Sequence, residues 1–206
     1  MTDDSSPALV TGTIDSLAIV RFNRPAQRNP LSLATLQEFE RLTSSLFTRD
    51  DIRNIIFTGS DDVFASGANI GELAQLDASA ALEFSSYGQR LFQTIADAKQ
   101  LTVAAINGYC MGGGLDLALA CDIRVASASA VFSHPGARLG IITGWGGTQR
   151  LPRIIGRARA LEFFATARRY SSDEALQMGL ISRVADPVIE CAMEVAAAAD
   201  RLSNPS

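Results

Sequence analysis

Apolar and polar positions alternate in two short stretches near the start of the chain, residues 8–14 and 17–22. Both stretches are rich in β-branched residues, and Asp15-Ser16 separates them, so they predict a β-hairpin. From about Ser32 to Phe47 the spacing becomes helical, with Ser32 as a candidate N-cap. The apolar face of that helix is predicted to contain Leu33, Leu36, Phe39 and Leu46.

The rest of the chain alternates between short apolar runs and helical patterns. Strands are predicted at residues 52–58, 101–106, 123–126, 130–133 and 181–184. Helices are predicted at residues 70–98 with a break, 112–120, 147–155, 157–167, 172–178 and 188–202. Residues 59–67 are predicted to be a loop, and residues 136–147 form a Gly-rich stretch before the later helices. This alternation favours a parallel, layered α/β arrangement.

Composition narrows the class of protein. The chain has 206 residues, of which 47% are hydrophobic and 19% charged, and this predicts one folded domain over residues 8–206 after a disordered tail at residues 1–7. A net charge of -4 argues against nucleic acid or an anionic membrane as partner. With no secretory signal and no apolar run long enough to span a bilayer, we expect a cytoplasmic protein.

The residues that usually bind metals are sparse. Three cysteines (Cys110, Cys121 and Cys191) lack metal-ligand spacing, and we interpret Cys110 and Cys121 as core residues in a reducing compartment. His134 is the only histidine, which argues against a zinc site. Ser-His-Pro gives His134 no evident nucleophile or orienting acid, so a loop-packing role is the favoured interpretation. No metal site is predicted.

Two turns of small residues each lead into a predicted helix. The first spans Val63–Ile70, and the second is Gly112–Gly114, directly after a buried strand. Backbone amides in a first helical turn have no intrahelical acceptor and can donate to an anion. Each turn alone also fits an ordinary tight turn or close packing of helix on sheet. Together they suggest an oxyanion hole of two amides.

Asp116 lies in the first turn of the second of these helices. It fits both a charge that complements the helix dipole and a carboxylate in the same pocket as the glycine amides. Trp145 fits either an ordinary core residue or the wall of an acyl pocket.

These segments, in this order, resemble the enoyl-CoA hydratase/isomerase (crotonase) family. The resemblance runs from about residue 9 to residue 190. It rests on five motifs: Asn23–Asn29, Phe64–Ile70, Asn107–Asp116, Cys121–Arg124 and Gly144–Leu151.

The resemblance implies an α/β fold in which repeated ββα units form two roughly perpendicular sheets surrounded by helices. It implies an acyl-CoA substrate in fatty acid metabolism, with coenzyme A as part of the substrate and no tightly bound cofactor. It implies catalytic roles for Ala68, Gly113 and Asp116, and a homotrimer or hexamer. The implied CoA-ester contacts are Ala26, Arg28, Gly67, Ala68, Asn69, Ile70, Gly71, Gly113, Gly136 and Trp145.

The chain departs from the family pattern at functional positions. Asp116 stands where the first of two glutamates is expected and is one methylene shorter, while Gly136 stands at the second and has no side chain. Asn69 replaces the motif aspartate, which weakens a charge contact or cap but leaves the Ala68 amide unchanged. We also expect most of the family's C-terminal helical lid and trimerisation segment to be missing.

The leading hypothesis is therefore an enzyme that stabilises a thioester enolate, with the specific reaction left open by Gly136. Asp116 is the candidate base or water-orienting group. The alternatives are a decarboxylase or thioester hydrolase of the same family, and a catalytically silent acyl-CoA-binding or assembly protein. An α/β domain from outside the family would neither bind nor convert a CoA ester.

Overall fold

The computed structural model describes residues 7–203, so all but one residue of the predicted tail lies outside it. Over this range the chain forms short strands and longer helices in alternation. The strands are β1 (Leu9–Ile14), β2 (Leu17–Phe22), β3 (Pro30–Leu31), β4 (Asn54–Thr58), β5 (Val63–Ala65), β6 (Gly67–Ala68), β7 (Leu101–Ile106), β8 (Tyr109–Met111), β9 (Ile123–Ala126), β10 (Val131–Ser133), β11 (Tyr170–Ser171) and β12 (Arg183–Val184).

The helices follow the sequence prediction closely. The helices are α1 (Leu33–Phe47), α2 (Ile70–Leu73), α3 (Ala78–Ala96), α4 (Gly113–Ala120), α5 (Gly147–Ile155), α6 (Arg157–Thr166), α7 (Ser172–Gln177) and α8 (Val188–Ser203). Each predicted helical segment contains a helix, and the expected break falls between α2 and α3. Within residues 7–203 no helix has the length and hydropathy of a membrane span.

The largest sheet has six strands in the order β1-β2-β4-β7-β9-β12. The predicted hairpin is confirmed, because β1 and β2 pair antiparallel around Asp15, which adopts a positive φ of 51°. Every other neighbouring pair in this sheet is parallel, as the alternation of strands and helices predicts. Strand β4 is buried along its whole length, in keeping with its continuous apolar run.

A second sheet of four strands has the order β11-β10-β8-β5, and its strands β5, β8 and β10 run parallel. Successive ββα units place their first strand (β4, β7, β9) in the large sheet and their second (β5, β8, β10) in the small one. Since neighbouring parallel strands end at the same edge, the residues after β5, β8 and β10 are brought together.

Two apolar clusters hold these layers. The larger lies between the two sheets and the helices α1, α3 and α4. The smaller joins α8, through residues such as Val195 and Ala192, to the outer face of the large sheet. All three cysteines are buried and free, which confirms Cys110 and Cys121 as core residues. Burial raises the pKa of the Cys121 thiol to about 12, so it stays protonated at neutral pH.

Helix α1 is attached to the sheets by aromatic contacts. The Ser32 hydroxyl accepts a hydrogen bond from the Thr35 amide, which confirms the predicted N-cap. Phe39 stacks on Phe22 at 5.6 Å between ring centroids and lies 5.3 Å from Phe57. These rings link the hairpin, the centre of the large sheet and α1.

Two details of the sequence prediction are wrong. Leu33 is 43% exposed and does not belong to the buried face of α1, because as first residue of the helix it lies at the solvent edge. The predicted loop at residues 59–67 contains strand β5 and the start of β6. A strand of two or three residues is too short to show the alternation of apolar and polar positions that predicts a strand. These strands form because their backbone groups pair with neighbouring strands.

Replacing Phe39 by Ala should destabilise the protein by about 3–5 kcal/mol, since a ring that is 1% exposed leaves a cavity between α1 and the sheet. The matched variant Leu33→Ala, on the same helix but exposed, should change stability by less than about 1 kcal/mol. Urea unfolding measures both free energies. Equal losses for the two variants would contradict this packing.

Candidate active site

A cavity of about 1520 Å³ opens where the small sheet ends. Its wall is formed by the segments that follow β5, β8 and β10, together with α3, α6 and the loop that precedes α5. Most of the lining of this cavity is apolar. A site of that kind suits a large, partly apolar ligand.

Two backbone segments meet at one end of this cavity. Gly67 has a φ of +92°, and a Cβ there would lie 2.7 Å from the Gly113 nitrogen and 2.9 Å from the Met111 carbonyl oxygen. The chain around Ala68 therefore packs directly against the start of α4. Gly113 is the first residue of α4, so its N–H has no acceptor within the helix.

The three consecutive glycines serve different purposes. Gly112 has a positive φ of 51°, which L side chains rarely adopt. A Cβ on Gly113 would overlap the Trp145 ring, and one on Gly114 would overlap the Ala65 carbonyl. Close packing of helix on strand, one of the two interpretations left open above, thus explains Gly114, whereas Gly113 lines the cavity.

Trp145 combines the two roles considered for it. It is 4% exposed and its ring packs edge-on against Phe84 and Phe92, while its indole Nε1 donates to the Phe84 carbonyl at 3.3 Å. It also lines the cavity directly over Gly113. The ring therefore fixes the apolar wall next to the two backbone segments.

Asp116 is completely buried and does not line the cavity. Its Oδ2 accepts a short hydrogen bond from the Thr143 hydroxyl, and its Oδ1 lies 3.1 Å from Nε2 of His134. The two atoms do not meet the geometry of a hydrogen bond, and neither has a hydrogen-bond partner among residues 7–203. Burial and the nearby Asp116 carboxylate raise the pKa of the Cys110 thiol. The carboxylate is thus enclosed, and His134 and Thr143 separate it from the cavity.

Gly136 lines the cavity, but the space beside its Cα is filled. A Cβ there would lie 2.6 Å from the Ile141 carbonyl oxygen, and the Ile141 amide donates to the Gly136 carbonyl at 3.0 Å. The loop thus folds back over Gly136. The backbone conformation itself excludes a side chain at this position.

Asn29 anchors one side of the site. Its side chain accepts from the Arg24 amide at 2.7 Å and donates to the carbonyls of Val63 at 2.9 Å and Phe64 at 3.2 Å. The residue is 2% exposed and has a φ of +46°. Through these bonds the loop before β3 holds β5, whose end leads into the Ala68 segment.

Comparison with known proteins identifies the family. The sequence model described as Enoyl-CoA hydratase/isomerase matches residues 12–205, nearly the whole chain. The chain belongs to the enoyl-CoA hydratase/isomerase family. It is 38% identical over 174 residues to the crotonyl-CoA hydratase of Syntrophomonas wolfei, covering 84% of this chain and 67% of the relative. It is 35% identical over 183 residues to the short-chain-enoyl-CoA hydratase of Clostridium acetobutylicum, covering 87% and 70%.

Solved structures agree with this assignment. The crystal structure of enoyl-CoA hydratase from Bacillus anthracis has a TM-score of 0.88 at 35% identity, covering 93% of this chain and 76% of that one. DspI from Pseudomonas aeruginosa has a TM-score of 0.90 at 32% identity, covering 97% and 83%. The predicted crotonase-like α/β fold is confirmed, and the chain is an acyl-CoA-binding enzyme of the enoyl-CoA hydratase/isomerase family.

Most of the residues that the family resemblance assigned to the site line the cavity. These are Gly67, Ala68, Asn69, Ile70, Gly71, Gly113, Gly136 and Trp145. Ala26 and Arg28 do not; both are exposed, and the Arg28 guanidinium lies over the Tyr109 ring at 4.4 Å. Asn69 caps α2 by accepting from the Gly71 and Glu72 amides, so a cap is present without the motif aspartate.

Sequence reasoning missed three residues of this enzyme's site. His134 packs against Phe163 and Phe164 as expected, but it also lines the cavity, and its Nε2 lies 3.1 Å from Oδ1 of Asp116. Thr143 had no signal at all. Asn29 was noticed only as part of a motif. A pair as distant in sequence as Asp116 and His134 meets only through the pairing of β8 with β10.

The variant Asn29→Asp should lose about 2 kcal/mol or more of stability. Aspartate tolerates the positive φ and can still accept from Arg24, but it places a carboxylate oxygen against two carbonyl oxygens. The same change at the half-buried Asn23, whose side chain makes no such bonds, should cost less than about 1 kcal/mol. Thermal and urea unfolding of both variants test this, and a smaller loss at Asn29 would contradict the anchoring role.

Proposed function

We propose that this enzyme binds an enoyl-CoA thioester with its carbonyl oxygen between the backbone amides of Ala68 and Gly113, and hydrates or isomerises the double bond. Negative charge develops on that oxygen as the enolate forms. Two amide donors that are already in position stabilise the charge without reorganisation. Coenzyme A enters as part of the substrate, and no tightly bound cofactor is proposed.

The observation that carries this proposal is the close approach of the Gly67 and Gly113 backbones at the cavity wall. Gly67 has no room for a Cβ because the Gly113 nitrogen lies in its place. Both amide-bearing segments therefore line one small region, which Trp145 covers. The names of the hydratases from Syntrophomonas wolfei and Clostridium acetobutylicum support the same substrate class.

The remaining CoA contacts follow from where the cavity opens. Asn69, Ile70 and Gly71 line it beside Ala68, and we assign them to the pantetheine arm. Ala26 and Arg28 flank Gln27, which also lines the cavity. We propose that the nucleotide end leaves past this turn, where the guanidinium of Arg28 is half exposed.

The alternative reactions, decarboxylation and thioester hydrolysis, differ in whether they require a group that accepts a proton. Decarboxylation requires an oxyanion hole but no base, so it tolerates Gly136, and thioester hydrolysis requires an activated water. A buried carboxylate that faces an imidazole at the cavity wall favours a reaction with proton transfer over decarboxylation. A catalytically silent acyl-CoA-binding protein would not require a carboxylate and an imidazole at this position.

Assembly and location remain predictions from the resemblance and the sequence. We propose a homotrimer or hexamer in the cytoplasm. The relative named fatty acid oxidation complex subunit alpha, from Idiomarina loihiensis, is 36% identical over 186 residues and supports a role in fatty acid metabolism. That match covers 88% of this chain and 26% of the relative.

The purified enzyme should remove the conjugated enoyl thioester absorbance of crotonyl-CoA, with 3-hydroxybutyryl-CoA as product by mass spectrometry. Free thiol, followed in parallel, reports thioester hydrolysis. Binding of crotonyl-CoA without any product would refute hydration and leave isomerisation or a silent binder. Release of free CoA would replace hydration by hydrolysis.

Replacing Gly113 by Pro should lower kcat by about 10²–10³-fold relative to Gly113→Ala, because proline removes one amide donor. Proline is tolerated at the first position of a helix, where the N–H has no helical acceptor. Both variants add a Cβ against Trp145, so alanine controls for that overlap. Equal activities of the two variants, at equal melting temperature, would show that this amide is not a donor in the transition state.

A further inference from the structure

His134 occupies a fixed place beside the proposed oxyanion site. Ser133 of β10 pairs with Met111 of β8, and the Gly112 amide donates to the Ser133 carbonyl at 2.9 Å. His134 follows directly, one residue beyond a strand that is locked to the start of α4. Its ring therefore lies next to the segment that carries the Gly113 amide, and it lines the same cavity.

The ring is held from two sides. It is 3% exposed and packs against Phe163 and Phe164, with centroids 6.3 Å and 5.1 Å away. Its Nε2 faces Oδ1 of Asp116 at 3.1 Å. The other nitrogen, Nδ1, has no hydrogen-bond partner among residues 7–203 and is the one left for the cavity.

This arrangement is unlike that of a histidine that only fills space. A buried polar atom normally has a well-aligned partner, because leaving it unpaired destabilises the fold. Within residues 7–203, Oδ1 and Nε2 are buried 3.1 Å apart and neither has a hydrogen-bond partner. A proton accepted at Nδ1 would make the imidazole cationic beside the Asp116 carboxylate, which favours that charge.

We infer that His134 is the catalytic base of this enzyme and that Asp116 is its positioning residue. This inference rests on the proposed function. A carboxylate at Nε2 keeps the proton there, leaves the Nδ1 lone pair free and stabilises the imidazolium that forms. The Thr143 hydroxyl in turn holds the second oxygen of Asp116.

One imidazole suffices for the whole addition of water. The water oxygen bonds to the β-carbon of the enoyl thioester while the water proton passes to Nδ1. The carbon–carbon π pair shifts to form the enolate, whose oxygen lies between the two amides. The imidazolium then returns the proton to the α-carbon, and the enolate collapses to the thioester carbonyl. One water is added, no other reactant is consumed, and no carboxylate at position 136 is needed.

The test compares the wild type with His134→Gln and Asp116→Asn in steady-state hydration of crotonyl-CoA. We expect His134→Gln to lower kcat by about 10²–10⁴-fold and Asp116→Asn by about 10-fold or more, with KM changing less than about 3-fold. Ser133→Ala is the matched control. Ser133 is the last residue of β10, directly before His134, and its hydroxyl donates a buried hydrogen bond to the Ala167 carbonyl. Loss of that bond should lower the melting temperature and leave kcat unchanged.

A third variant separates a chemical role from a structural one. His134→Ala leaves a space beside Asp116, and added imidazole should restore at least about 10-fold of its kcat, which a packing role would not allow. Calorimetric binding of crotonyl-CoA and the melting temperature confirm that each variant is folded. If His134→Gln melts below the assay temperature, His134→Asn and Asp116→Asn provide the same comparison.

The outcomes are distinct. A folded His134→Gln with kcat within about 3-fold of wild type overturns the inference, and if Asp116→Asn is then inactive, Asp116 acts directly. A folded His134→Ala that binds substrate but gains nothing from imidazole also overturns it. A wild type that hydrates no enoyl thioester overturns this inference, and one that also isomerises none overturns the proposed function as well. An active wild type with an active His134→Gln overturns this inference alone.

Discussion

The parallel pairing of β5, β8 and β10 in the small sheet is the constraint on which the site depends. Each strand has only three residues, yet each is the second strand of a ββα unit whose first strand lies in the large buried sheet. The large sheet therefore fixes their order and direction. Because parallel neighbours end together, one edge collects the amide of Ala68, the amide of Gly113 and the ring of His134.

That convergence is possible only because the backbones come very close. The Gly67 and Gly113 segments touch without side chains between them, and Trp145 covers Gly113 where any Cβ would overlap its ring. The contact that packs the start of α4 against the Gly67 segment is therefore also the contact that places the Gly113 backbone at the cavity wall. Distant residues hold this geometry: Asn29 bonds to the carbonyls of β5, and the Phe22, Phe39 and Phe57 rings join α1 to the sheets.

Much of this was readable from the sequence, and the reasons for success and failure are physical. The helical spacing of α1 and the apolar run of β7 were recognised from the sequence, and the two turns of small residues both lie at the cavity, while their role as amide donors stays a prediction. Strands of two or three residues such as β5 carry no periodicity, so the loop prediction for residues 59–67 was wrong. The packing role predicted for His134 agrees with its burial against Phe163 and Phe164, but its approach to Asp116 was not predicted, because Asp116 lies on another ββα unit. Proximity between units is a property of the sheet and leaves no mark on local sequence.

The loop from Gly136 to Thr143 explains why the departures from the family pattern belong together. The Ile141 carbonyl fills the space where a side chain at Gly136 would begin, and two residues later the Thr143 hydroxyl binds Asp116. One loop conformation therefore leaves no room for a side chain at position 136 and also holds Asp116 through Thr143. Position 136 and Asp116 are thus connected through a single loop, and a side chain at position 136 would require that loop to move. The imidazole of His134, which lines the cavity beside the enclosed Asp116, is the group to which we assign proton transfer.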